Sequence, residues 1–287
     1  TGSVRSIIFK ENITMSRKIM ADFHLHSDFS GDGEIPMETM IQEGIARGLS
    51  LMCFTEHLDW DFPPTPEHTA FDLDIPAYRN RLVELKEKYK DSIDLRFGLE
   101  LGLQPHLASR HQALLKEWEF DFVIGSSHVT DGCDPYYPAF YEDRTAEEAY
   151  TSYFESILDN LKVFDQMDVY GHIDYVVRYG PNKNKFYTYG RYEEILEEIL
   201  QTLISRNVGL EVNTGGFHYG PGHPNPCEEI LTRYRQLGGE ILTIGSDAHI
   251  PGNIAFDFHK LPDLLKSCGF THYTVFQNRR PQFLPLD

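Results

Sequence analysis

Two histidines two residues apart, His24 and His26 in DFHLHSDFS, open a series of metal-type ligands that recurs through the chain. On an extended strand alternate side chains leave the same face, so this pair can bind one ion. His57 follows in CFTEHLD, Glu100 in FGLELG, His128 in IGSSHV and His172 in YGHID. Asp247 and His249 in IGSDAH repeat the two-residue spacing, and Asp32 lies just beyond the first pair. A lone histidine such as His57 or His172 is more often a satisfied core or loop residue than a ligand. Nine ligand-type residues at corresponding places resist that explanation, because imidazoles and carboxylates buried together without an ion are costly and unpaired. Imidazole plus carboxylate suits zinc, iron, manganese or cobalt.

What must position these residues is a rhythm of short apolar segments. Seven read as buried strands: 19–25, 49–54, 93–99, 120–125, 169–171, 208–212 and 241–244. Helical patterns run between them over 36–47, 76–90, 105–118, 146–164, 192–206 and 227–237, with a last one over 253–268. Several start with Pro or a capping residue and stop near Gly, as at Gly48, Gly238 and Gly269. Alternating strand and helix argues a parallel sheet, and right-handed crossovers close it into an α/β barrel, with an open doubly wound sheet as the second choice. In a barrel, active sites form at the C-terminal ends of the strands, where these ligand-type residues fall. Strand six, ending GLEVNTGG, supplies no obvious ligand. Asp22, Glu56 and Asp174 stand next to or near candidate ligands and either orient imidazoles or make surface salt bridges. His68, His106, His111, His259 and His272 fall outside the strand ends and read as ordinary.

Composition removes several function classes. With 26 Lys and Arg against 44 Asp and Glu, the net charge is −18, which repels polyanions and anionic membranes. No GxGxxG follows the first strand, and neither GxxxxGK[ST] nor GxSxG occurs. The 4 cysteines form no CxxC pair and read as reduced thiols in a cytoplasmic protein. No apolar run approaches a membrane span and no signal-peptide pattern opens the chain. Residues 1–18 read as an N-terminal extension and 19–287 as one barrel domain. Asp28, Ser30, Asp32 and Gly33 mimic the opening of a calcium loop, but Thr39 stands where the bidentate Glu belongs.

With DFHLHSDFSGDG, TEH, GLE, SSH, GHID and GSDAH in this order, the chain resembles the polymerase and histidinol phosphatase (PHP) superfamily over residues 20–275. GHIDYVVRYG and LEVNTGGF place the resemblance closest to its bacterial histidinol-phosphate phosphatases. It implies a distorted (βα)7 TIM-like barrel with a trinuclear centre of divalent ions (zinc, iron or manganese) at its C-terminal mouth. One ion would take His24, His26, Glu100 and Asp247, a second Glu100, His128 and His172, and a third Asp32, His57 and His249. Asp32 stands where some superfamily members carry His, and His218 where relatives carry a basic residue against the substrate. The implied reaction is metal-dependent hydrolysis of L-histidinol phosphate, a small phosphate monoester, in histidine biosynthesis. Glu100 and Asp247 would serve catalysis, Arg178 would clamp the phosphate, and His223 or a metal-bound water would protonate the leaving group. Asp131, Asp134, Tyr136 and Tyr137 either line the far end of the substrate or cap a loop. A phosphodiesterase on the same scaffold and a non-catalytic binding protein are the alternatives; the second should have lost ligands, and this chain keeps them.

Overall fold

A computed structural model describes residues 19–65 and 70–286. The extension over 1–18 and His68 lie outside the described residues. Strands β1 (Ala21–Leu25), β2 (Leu51–Phe54), β3 (His57–Leu58), β4 (Asp94–Gly102), β5 (Phe122–Ser126), β6 (Val169–Tyr170), β7 (Gly209–Asn213) and β8 (Leu242–Gly245) are parallel, in the order β1-β2-β4-β5-β6-β7-β8 with β3 also on β4. β2 and β3 form one stave interrupted at Thr55 and Glu56, so there are seven staves. The last stave returns to the first beyond its own end. His26 N donates to Ala248 O (2.9 Å) and Asp247 N to His24 O (2.7 Å), a short parallel join at the C-terminal mouth. These strands are buried on nearly every residue because both faces are covered, one by the barrel interior and one by helices.

The helices are α1 (Met37–Ala46), α2 (Ile75–Tyr89), α3 (Ala108–Glu117), α4 (Ala146–Val163), α5 (Val176–Tyr179), α6 (Glu193–Ser205), α7 (Gly215–His218), α8 (Glu228–Gln236) and α9 (Leu261–Ser267). α4 shows why its start was legible. Thr145 Oγ1 accepts from Glu148 N while Glu148 Oε2 accepts from Thr145 N, a complete capping box.

Two expectations need correction. The pattern over 253–268 is not one helix: Ala255 and Asp257 adopt left-handed conformations (φ 50° and 56°), which break the ladder, and the α-helix begins only with Pro262 in its first turn. The segment beyond α9 was not read as strand, yet β9 (His272–Gln277) and β10 (Arg280–Pro285) form an antiparallel hairpin. Its two-residue turn is Asn278–Arg279, both at positive φ (50° and 60°), without the glycine that usually announces such a turn. The hairpin packs against the sheet, with the Phe276 ring tilted against Phe122 (5.2 Å between centroids) and Thr274 Oγ1 accepting from Leu242 N. Among the described residues no helix is long and apolar enough to cross a membrane.

Where the second stave breaks, Tyr78 of α2 takes over. Its fully buried hydroxyl lies 2.9 Å from Phe54 O and 3.1 Å from Gly98 O. Replacing Tyr78 with Phe should therefore cost about 1–3 kcal/mol of stability, since buried carbonyls lose their donor while the ring still fills its space. The check is urea unfolding with an unchanged m-value.

Candidate metal centre and active site

The strands deliver the nine sequence-singled residues to one place. His24 belongs to β1 and His26 follows it, both on the interior face. His57 sits in β3 directly beside Glu100 of β4, its register partner. His128, His172, Asp247 and His249 lie just past β5, β6 and β8, and Asp32 in the turn after β1. His172 and Asp247 have positive φ (22° and 57°), strain on the order of 1–3 kcal/mol each, of a kind concentrated at functional sites.

Glu100, fully buried, is the hub. Its Oε2 faces His24 Nε2 (2.9 Å), His57 Nδ1 (3.1 Å) and His26 Nε2 (3.4 Å), and its Oε1 faces Nε2 of His128 and of His172 (3.2 Å each). Asp247 Oδ1 stands 3.5 Å from His24 Nε2 and 3.6 Å from His26 Nε2. Asp32 Oδ2 stands 3.2 Å from His249 Nε2 and 3.8 Å from His57 Nε2.

A second layer fixes which nitrogen points inward. His24 Nδ1 donates to Glu211 Oε1 (2.5 Å), His128 Nδ1 to Asp59 Oδ1 (2.6 Å), His26 Nδ1 to Ser30 Oγ (3.0 Å) and His249 Nδ1 to Asp247 O (3.1 Å). Ser30 Oγ in turn donates to Glu56 Oε2 (2.6 Å). In all four rings this leaves Nε2 facing the interior, where its lone pair would be offered to a bound ion, the arrangement found around metal-ligating histidines. Glu211 also accepts from His172 N through Oε2 (2.9 Å), so one carboxylate orients residues from two staves.

The donor set fits divalent ions on two counts. Two donors held ~2.1 Å from one ion at the tetrahedral angle stand about 3.4 Å apart, and the Nε2-to-carboxylate separations of Asp247 and Asp32 run from 3.2 to 3.8 Å. In addition His26 Nε2, His249 Nε2, His172 Nδ1, Asp32 Oδ1 and Asp59 Oδ2 are buried without a hydrogen-bond partner among the described residues, which a protein rarely tolerates unless something else binds there. Electrostatics agree. Burial alone would raise the Glu100 carboxyl, but His24, His57 and His128 outweigh it and hold the group well below the usual carboxylate range. Burial opposes ionisation of Asp247 too, and His24, His26 and Arg178 overcome it. His26 is pushed well below the usual imidazole range by burial and by His57 and His249, which keeps it neutral, as a ligand must be.

The centre opens into a cavity of about 430 Å3. Arg178 lines it from α5 and is buried. Nε donates to Asn225 Oδ1 (2.6 Å), Nη1 to Asp247 Oδ2 (2.9 Å) and Nη2 to Asn213 Oδ1 (2.6 Å). Two of the expected site residues are not brought to the cavity. His218 is exposed, its ring against Tyr219 and Phe256, and His223 Nδ1 donates to Pro224 O in its own turn (2.7 Å). Asp22, Glu56 and Asp174 are fully buried and make no salt bridges among the described residues: Asp22 accepts from Ser246 N and Oγ, Glu56 from Ser27 and Ser30, Asp174 from Asn225 and Cys227 N.

Sequence reasoning passed over Glu211, Asp59 and Asn213. Glu211 had a signal: a carboxylate in the middle of the apolar strand GLEVN can be buried only with partners. Asp59, two residues beyond His57 on an extended run, shares its face by the alternation already used for His24 and His26. Asn213 follows from Glu211 in the same way.

Comparison with known proteins agrees with this geometry. Histidinol-phosphatase of Lactococcus lactis is 35% identical over 265 residues, covering 90% of this chain and 95% of its own. A probable histidinol-phosphatase of Clostridium acetobutylicum is 30% identical over 251 residues, covering 86% and 93%. Among solved structures, histidinol phosphate phosphatase of Lactococcus lactis, complexed with zinc, L-histidinol and phosphate, superposes with a TM-score of 0.85 at 34% identity over 93% of this chain and 99% of that one. The PHP domain matches residues 22–215, the stretch that runs from β1 through β7 and carries seven of the nine converging residues, and the chain belongs to that family.

Proposed function

We propose that this chain is a metal-dependent phosphomonoesterase that hydrolyses L-histidinol phosphate to L-histidinol and phosphate. The observation that carries the reading is the convergence of six imidazoles and three carboxylates on the floor of one cavity with Arg178 in its wall. Likeness to the Lactococcus lactis enzyme over nearly the whole chain supplies the substrate.

The distances favour three ions: one against His24, His26, Glu100 and Asp247, one against Glu100, His128 and His172, and one against Asp32, His57 and His249. Zinc, the ion of the solved relative, fits this donor set, as do iron and manganese. Bound ions would supply Lewis acidity toward the phosphoryl oxygens and an acidified water for attack at phosphorus. The chain's own residues hold and tune that arrangement. Glu100 offers one oxygen to each of two ion positions. Asp59 and Glu211 fix the outer nitrogens of His128 and His24, and so raise the basicity of the inner ones. Arg178 brings a fixed positive charge to the cavity wall; three of its five N–H groups are committed to Asn225, Asp247 and Asn213, and the remaining two are available to phosphate oxygens. His218 and His223 take no part, being away from the cavity.

Metal analysis of protein purified without chelator should approach three ions per chain, and Glu100→Gln should lose more metal than any other single ligand substitution, because it alone faces two positions. A uniform single equivalent would refute the trinuclear arrangement.

Across a panel of phosphate monoesters, L-histidinol phosphate should give the highest kcat/KM, with an oligonucleotide left uncut. Preference for a sugar, nucleotide or phosphoprotein would refute the substrate while sparing the chemistry.

Arg178→Ala should lower kcat/KM by roughly 10- to 1000-fold, equivalent to about 1.4–4 kcal/mol. Because Arg178 also neutralises Asp247, the same change should weaken metal retention, and Arg178→Lys should restore only part of either property. Wild-type kinetics and metal content together would place Arg178 outside the machinery.

A further inference from the structure

The phosphatase reading explains one side of the cavity and leaves the other unassigned. Four aspartates line the space, Asp32, Asp59, Asp134 and Asp247. Three are matched: Asp32 by His57 and His249, Asp59 by His128, Asp247 by Arg178, His24 and His26. Asp134, in the loop after β5, forms no ion pair among the described residues.

Its carboxylate is nevertheless held in place. Oδ1 accepts from Tyr136 N (2.8 Å) and from the Tyr175 hydroxyl (3.2 Å), which leaves Oδ2 without a hydrogen bond among the described residues. The Tyr175 ring lies 5.0 Å from the His172 ring and 5.9 Å from that of His128, so Asp134 stands one tyrosine away from the ion-facing imidazoles. Around it runs an aromatic wall: Tyr136 is edge-on to Tyr179 (5.0 Å), and Tyr179 meets Tyr219 (5.5 Å). Burial pushes the Asp134 carboxyl up to about 6, the condition of an anion whose surroundings hold too little positive charge. The neighbouring acid, Asp131, behaves differently: it is exposed and bound to Arg144 and Ser152, and so caps the loop. Asp131 is thus structural, and Asp134 faces the cavity.

A fixed, unpaired carboxylate beside tyrosine faces is the chemistry that recognises a cationic nitrogen, by charge and by cation–π attraction. Resting on the phosphatase reading for where the phosphate sits, we propose that Asp134 is the specificity-determining anchor for the ammonium group of an amino-alcohol phosphate, and that the tyrosine wall receives the flat ring such a substrate carries. In an amino-alcohol phosphate only two carbons separate the ester oxygen from the ammonium nitrogen. A substrate of that class spans from the ion-facing imidazoles to Asp134 and brings the missing positive charge with it. The cavity then meets a dianion at one end and a cation at the other, which the phosphate ester of an uncharged alcohol cannot exploit.

The test is a ratio of kcat/KM values measured within each protein: L-histidinol phosphate and O-phosphoethanolamine, whose alcohol parts are cationic, against p-nitrophenyl phosphate and propyl phosphate, whose alcohol parts are neutral. In the wild-type protein O-phosphoethanolamine should exceed propyl phosphate at least tenfold. In Asp134→Asn both cationic-to-neutral ratios should fall by roughly 10- to 100-fold, and Asp134→Glu should recover part of the loss. Should Asp134→Asn fail to fold, Tyr175→Phe, which only unlocks the carboxylate, should lower the same ratios several-fold. Equal losses on all esters would make Asp134 structural and overturn the proposal, as would ratios that do not move or a wild-type protein indifferent to the ammonium group. The two readings fail separately. If amino-alcohol phosphates are preferred as a class but histidinol phosphate is not the best of them, the substrate assignment falls and the anchor stands. If histidinol phosphate is best and Asp134→Asn leaves the ratios intact, the reverse holds.

Discussion

The rest of the structure depends on one buried carboxylate. Glu100 has no access to solvent, and five imidazoles from four staves and the turn after β1 surround its two oxygens. An isolated carboxylate so placed would be prohibitively costly. Here the cost is offset by the ring of imidazoles, and that ring can exist only if the staves close around it. Closure is therefore electrostatic as much as apolar: Asp247 N bonds back to His24 O, and Asp22 of β1 clamps Ser246 N and Oγ and Ala255 N beyond β8.

Around Glu100 lies a layer of groups that set direction rather than charge. Glu211, Asp59 and the Ser30–Glu56 pair each commit one ring nitrogen so that the other faces inward. Their room is made by absent side chains. A Cβ on Gly102 would stand 1.9 Å from Asp59 Oδ1, and one on Gly245 would stand 2.2 Å from His24 Cβ and 2.6 Å from Glu211 Oε1. Only glycine permits these carboxylates to approach, so the backbone positions and the imidazole orientations are one constraint. On the other side a chain of hydrogen bonds, Asp174 to Asn225 to Arg178 to Asp247, locks the arginine to a residue of the floor. The positive charge of the wall and the negative charge of the floor thus hold each other in place.

Without ions the centre is frustrated. Burial favours neutral groups, while Glu100, Asp247 and Asp32 are driven to ionise by the imidazoles that face them, and His26 is driven to stay neutral. Divalent cations resolve this by replacing shared protons with charge that every donor can use. Orphaned nitrogens and oxygens at the cavity floor are the geometric face of the same imbalance.

The sequence by itself determined the staves and the ligand-type residues at their ends, because short apolar runs and pairs such as His24/His26 and Asp247/His249 depend only on local geometry. The order of the motifs then led to the fold class and the chemistry. What it did not determine was anything set by contacts across the barrel. Glu211 and Asp59 look like unremarkable acids until strand register places them behind His24 and His128. Nothing local announces the partners of Arg178: Asn213, Asn225 and Asp247 arrive from residues 35, 47 and 69 positions away. His218 and His223 carry the right residue type, but the chain after β7 turns their rings away from the cavity. The Asn278–Arg279 hairpin was illegible because its turn lacks glycine, and the two left-handed residues are held by Asp121 from across the barrel, which accepts from Asn278 N and Arg279 N. Local pattern specifies which side chains can do chemistry; which of them meet, and with which nitrogen forward, is decided by closure of the barrel.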